Sequence, residues 1–146
     1  MEKKYRPGGL YMKLSTRTKY GTQLLLHLAL NRKKRIVSLH EIAETETISE
    51  KYLSKIIIPL RQAGLVKSVR GAHGGYVLVK EPAKITLKDI IELLDGKIEI
   101  MKNLKTNNDQ VGVKDTADFF WKDINSKIVK IFISINLADL VKKYNE

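Results

Sequence analysis

In this sequence of 146 residues, the side chains best equipped for chemistry are hydrogen-bond donors and cations, and they cluster. Ser49, Lys51, Tyr52, Ser54 and Lys55 fall within "SEKYLSK". On a helix these positions lie on the outward side of its first turns, where hydroxyls and ammonium groups can donate to phosphate oxygens or base edges. A second cluster is Arg70 beside the glycine-rich tip "GAHGGY". An extended guanidinium fits the narrow, negative minor groove of a duplex, most of all over A·T runs. Gly71, Gly74 and Gly75 are expected to let the backbone turn with positive φ and approach a sugar-phosphate chain closely, with His73 as a further phosphate donor at the tip. A third group, Thr16, Arg17, Thr18 and Lys19, stands at the start of a helix, where free backbone N–H groups can help hold a phosphate.

Each group also has a plainer use. The Ser/Lys/Tyr side can be a solvated helix face, Arg70 can brace its hairpin with an ion pair, and Tyr20, Tyr52 and Tyr76 can be partly core. The distribution of charge weighs against these uses. Net charge is +11, and residues 13–80 carry 13 Lys/Arg against 4 Asp/Glu, whereas residues 81–146 carry 11 of each. A cationic half beside a neutral half is the footprint of a polyanion-binding module joined to an assembly or sensing module.

Composition excludes much else. The sequence has no cysteine, so disulfides, thiolate metal sites, cysteine-ligated clusters and cysteine nucleophiles are ruled out. No apolar run is long enough to span a bilayer, and the first residues lack the apolar core of a signal peptide, which predicts a cytoplasmic protein without membrane association. No nucleophile elbow, phosphate-cradling loop or carboxylate pair with a histidine is present, so an enzyme is not expected. A protein-interaction adaptor on a winged-helix scaffold that no longer reads DNA is the alternative to a DNA-binding regulator.

The elements that must position these groups follow from periodicity and caps. Ser15 or Thr16 caps a helix to about Asn31 with Leu24 and Leu28 inward. Ser38 caps a short helix, with Glu41 three residues on completing a capping box. After the tight turn "TETI", Ser49 caps a longer helix burying Leu53, Ile56, Ile57 and Leu60, with Gly64 as its stop. Pro59 predicts a kink or a break near 56–59. Strands follow at about 65–70 and 76–80, and Thr86 caps a further helix. A long helix from 115 to about 133 repeats Phe120, Ile124, Ile128, Ile131 and Ile135 at three or four residues. Phe119, Trp121 and Ile133 widen that stripe beyond what one neighbouring helix would cover, which predicts self-association. Asn136 caps a last short helix. The expected class is mainly α with a small β-hairpin: a winged helix-turn-helix over 12–96, a loop over 97–114, and a dimerisation helix with a terminal helix over 115–146. Residues 1–11, with "RPGG", read as a flexible extension, and Met12 as the true start.

From Met12 onward the chain resembles the Rrf-two family of bacterial transcription regulators, the IscR, NsrR, RirA and CymR type. The stretches that carry this are "MKLSTRTKYG", "SLHEIAET", "ISEKYLSKIIIPLRQAGLVKSVRGAHGGYVL" and "ITLKDIIELLDG", with "FFWKDI" and "NLADLV" in the tail. The resemblance implies a homodimeric repressor on a dyad-symmetric operator in double-stranded DNA, read by Ser49, Lys51, Tyr52, Ser54 and Lys55 and by Arg70 in the wing. Many members have glutamate where this chain has Ser54, so the operator is not expected to match theirs. Cluster-binding members carry three cysteines where this chain has Asn103, Asp109 and Asp115, and some use a further ligand at the position of Asp118. With no thiolate there, neither a cluster nor another cofactor or metal is expected. The wing is most similar to that of the cysteine-free repressors of cysteine metabolism, which implies a cysteine-biosynthesis enzyme as a partner.

Overall fold

The computed structural model describes residues 14–102, 104 and 112–146. The extension over 1–11, Met12, and Asn103 and Asp109 in the 97–114 loop lie outside the described residues. The order is α1 (Thr16–Leu30), α2 (Leu39–Glu46), α3 (Glu50–Gln62), β1 (Val66–Val69), β2 (Gly75–Leu78), a 3-10 turn at Pro82–Lys84, α4 (Leu87–Asp95), α5 (Val113–Ser134) and α6 (Leu137–Tyr144). The fold is mainly helical with one antiparallel hairpin, in the winged helix-turn-helix order.

Local chemistry explains the boundaries. Ser15, Ser38, Ser49, Thr86 and Asn136 each accept a backbone N–H of the first turn they precede, which satisfies donors the helix itself cannot. Thr86–Asp89 and Asn136–Asp139 form complete capping boxes. The box expected at Ser38 is only half made. Ser38 Oγ accepts from Glu41 N at 3.1 Å, but the Glu41 carboxylate is held by both terminal nitrogens of Arg35, at 2.8 and 2.5 Å. A bidentate guanidinium is the stronger partner for a carboxylate than one backbone amide.

Pro59 does not divide α3, which runs continuously over thirteen residues. The proline lies in the last turn, so it removes one hydrogen bond near an end that Gly64, at φ 76, then terminates.

Leu24, Leu25 and Leu28 of α1, Ile42 of α2, and Leu53, Ile56 and Leu60 of α3 meet Leu65, Val66 and Leu78 of the hairpin in one core. Ile90 and Leu94 of α4 complete it, together with Leu137 at the start of α6, which is fully buried. The last helix therefore belongs to the packing of the amino-terminal half. Its entry is stitched to the chain before α4 by Leu137 N→Ile85 O at 2.8 Å and Leu87 N→Ile135 O at 2.9 Å. By contrast, α5 packs on α4 and has no fully buried residue along its 22 positions. Asn125, in its middle, ties it to the preceding segment by accepting from Ile100 N at 2.9 Å and donating to Ile98 O at 3.3 Å.

Candidate nucleic-acid interface

Helix α3 divides cleanly into two sides. Leu53, Ile56, Ile57 and Leu60 are buried, while Ser49, Lys51, Ser54 and Lys55 are exposed. Lys51 and Lys55 form no ion pair among the described residues, so both ammonium groups are available to an outside anion. Ser54 donates to Glu50 O at 2.9 Å, which engages its proton within the helix and leaves its lone pairs facing solvent. Tyr52 is half-buried, its ring edge-on to Tyr20 at 5.8 Å and 86°, so the ring helps seat α3 against α1.

The turn before α3 is held from both ends. Thr47 adopts the left-handed conformation, φ 55 and ψ 45, and Ile48 N returns to Ala43 O at 3.0 Å. His40 on α2 lies between Glu50 at 3.1 Å and Glu44 at 3.2 Å. The bond to Glu50, then the charges of Glu44 and Glu50, raise the His40 pKa above its ordinary value. These contacts pin the first turn of α3 to α2.

The hairpin pairs Val66 with Leu78 through to Val69 with Gly75, and Gly74 N→Gly71 O at 3.0 Å closes its tip. Arg70 and His73 are exposed, and Arg70 forms no ion pair among the described residues. The glycines divide their duties otherwise than expected. Only Gly71 has positive φ, at 125°, with open space where a side chain would begin. Gly74 and Gly75 are needed for close approach within the protein. A Cβ on Gly74 would stand 2.5 Å from Val69 O, and one on Gly75 would stand 2.4 Å from Val37 O. The second contact matters most, because Val37 and Tyr76 exchange hydrogen bonds at 3.1 and 2.8 Å and fasten the wing to the segment between α1 and α2.

At the start of α1, Thr16, Arg17 and Lys19 are exposed as expected. Part of the helix terminus is already answered within the protein. Ser15 Oγ accepts from Arg17 N and Thr18 N, and Asp95 at the end of α4 receives the Ser15 hydroxyl, Ser15 N at 3.0 Å and Thr18 Oγ1 at 2.6 Å. Burial works against the charged form of Asp95, but these bonds and the nearby charge of Arg17 outweigh it and hold the carboxyl below its ordinary range. Asp95 and Val37 are the positioning residues that sequence reasoning missed. An acid at a helix C-terminus opposes the helix dipole, and that unfavourable placement was the available signal of an external partner.

A basic helix-turn-helix with a cationic wing defines the class: this is a winged helix-turn-helix DNA-binding protein. Residues 14–143 match the Rrf2 family, described as iron-dependent transcriptional regulators, and the chain belongs to that family. It is 41% identical over 129 residues to the HTH-type transcriptional regulator CymR of Bacillus subtilis, covering 88% of this chain and 89% of that one. The solved structure of CymR, the global cysteine regulator of B. subtilis, superposes with a TM-score of 0.77 at 38% identity, covering 90% of this chain and 98% of that one. The structure of IscR from T. potens gives 0.70 at 38% identity, covering 91% and 88%. The protein is thus a DNA-binding transcription regulator.

The iron in the family description does not fit this donor set. The sequence contains no cysteine, and Asp115 accepts Gly112 N at 3.2 Å through one carboxylate oxygen at the start of α5. Asp118 also has a partner of its own, and no group of three His, Asp or Glu side chains able to hold a metal occurs among the described residues. Soft iron–sulfur centres need thiolates, or thiolates with imidazoles.

Proposed function

We propose that two copies of this chain associate through α5 and repress transcription from a dyad-symmetric operator. The observation that carries the dimer is the outer side of α5, where Phe119 is 74%, Phe120 55% and Ile131 57% exposed on a helix about 33 Å long. So much aromatic and branched apolar surface, with Phe120 and Ile131 in one band and Phe119 about 100° beside it, marks an interaction site. Ile124, Ile128 and Ile135 are half-buried and continue the band toward the core. A two-fold axis along it makes the contact self-complementary and presents two copies of α3 to adjacent half-sites.

In this reading Ser49, Lys51, Tyr52, Ser54 and Lys55 face the major groove, and Arg70 enters the flanking minor groove. Gly71, His73, Gly74 and Gly75 bring the tip to the sugar-phosphate chain. Thr16, Arg17 and Lys19 contact phosphate through their side chains, since the backbone N–H groups of Arg17 and Thr18 are already answered by Ser15. Likeness to the cysteine regulator of B. subtilis supports control of sulfur or cysteine metabolism. The proposal places the protein in the cytoplasm and gives it a cysteine-biosynthesis enzyme as a protein partner. No cofactor takes part.

The test combines sedimentation with gel shift on fragments recovered from genomic DNA. The parent should sediment as a dimer, and affinity should drop by ~10³–10⁵ between 50 and 200 mM salt if about six to ten phosphates are contacted. Ile131→Glu should give a folded monomer with weakened operator binding. A parent that sediments as a monomer, or a flat salt titration, would overturn the reading. Deleting 115–146 is a poor substitute, because it also strips Leu137 from the core.

A further inference from the structure

A cleft of about 550 Å³ opens between α1, α2 and the end of α6, and nothing in the proposed DNA reading uses it. Its volume lies within the range of small-molecule sites. Its walls carry one unused positive group and a set of acceptors. Lys34 forms no ion pair among the described residues. Glu46 is half-buried and bonds to His27 Nε2 through Oε1 at 2.5 Å, which leaves its second oxygen able to accept. Gln23 lines the same cleft, and its carbonyl oxygen is buried with no hydrogen-bond partner among the described residues. A buried acceptor without a donor costs the free energy of its lost hydration, so it is a place where an incoming N–H gains most. Leu26 and Leu30 supply an apolar wall.

We propose that this cleft binds a small zwitterion of the amino-acid class. The Gln23 amide turns about its last side-chain bond to face the ligand, whose ammonium donates to Glu46 and to the Gln23 carbonyl; the ligand's carboxylate pairs with Lys34, and its side chain lies against Leu26 and Leu30. The ligand touches α1 and the last turn of α2 at once. From Glu46 only Thr47, in its left-handed turn, and the buried Ile48 separate α2 from the cap of α3. Occupancy therefore fixes α2 against α1 and alters the affinity of α3 for DNA. This coupling, unlike the binding itself, rests on α3 being the reading helix.

The experiment is calorimetric titration of the full-length protein with the twenty amino acids, with acetate and ethylamine as single-charge controls. At least one amino acid should bind once per chain, and neither control should compete with it. Gln23→Leu removes the unpartnered acceptor, so it should melt no lower than the parent while binding the amino acid roughly tenfold more weakly or worse, the size of one lost hydrogen bond to a charged group. Lys34→Ala should weaken binding comparably. Failure of every amino acid at millimolar concentration, undiminished binding in both variants, or equal competition by a control would overturn the site. Operator gel shifts with and without the bound amino acid test the coupling, and identical affinities would overturn it. Operator binding measured without ligand stands or falls separately, so a failed site is distinguishable from a failed regulator.

Discussion

Gly75→Ala tests how the wing is attached. The added Cβ would meet Val37 O at 2.4 Å, Val37 C at 2.7 Å and Ile36 Cγ2 at 3.0 Å. An ordinary carbon–oxygen contact is roughly 1 Å longer, and backbone cannot swing aside as a flexible side chain does. Relief requires β2 to part from Val37, which breaks the hydrogen bonds of 3.1 and 2.8 Å that Val37 and Tyr76 exchange. At about 1 kcal/mol net for each bond, the loss is about 2 kcal/mol, within the usual range for overpacking. For a chain of this size that lowers the melting temperature by about 4–8 °C. Thermal unfolding followed by circular dichroism measures it, and operator affinity should fall as the hairpin loses its anchor. Gly71→Ala is the control for backbone conformation, since nothing stands within 4 Å of its Cβ and only its φ of 125° is strained. A Gly75→Ala protein melting within a degree of the parent would refute the reasoning.

Other outcomes follow from the same geometry. Leu137→Ala should cost about 2–5 kcal/mol in urea unfolding, because a fully buried leucine leaves a cavity between α6 and the core; a loss below about 1 kcal/mol would show that α6 is dispensable. Asp95 has a lowered pKa, so its contribution to stability is present above its unfolded pKa of ~3.9 and disappears as pH falls through the lower folded value. Asp95→Asn should flatten that acid limb in unfolding curves, and an unchanged limb would remove Asp95 from the account. The raised pKa of His40 has the opposite sign: its support for the α2–α3 junction is complete below ~6.5 and is lost as pH rises through the folded value, which proton resonance titration of the ring would report. Arg70→Ala should weaken binding most at operators with A·T-rich flanks, and an equal loss on every sequence in gel shifts would make it a plain phosphate contact.

The helices, their caps and the order of elements were legible in the sequence because they depend on neighbours in the chain. Ser49 answers an amide three residues away, Gly64 ends the helix it follows, and Leu53, Ile56, Ile57 and Leu60 recur with the helical repeat. The cationic half and the exposed donors of α3 and the wing were legible for the same reason, since charge and outward position need no partner. Tertiary structure alone decided which partner outside its own helix or turn a group would take. Arg35 drew Glu41 away from its capping box, Asp95 bound Ser15 at the start of α1 from 80 residues away, and Val37 made Gly75 a point of contact rather than a hinge. It also sent Leu137 into the core while leaving Phe119 and Ile131 on the next helix exposed. Apolar periodicity states that a face will be covered, but only the packed arrangement of the chain shows which faces it covers for itself and which it leaves for another molecule.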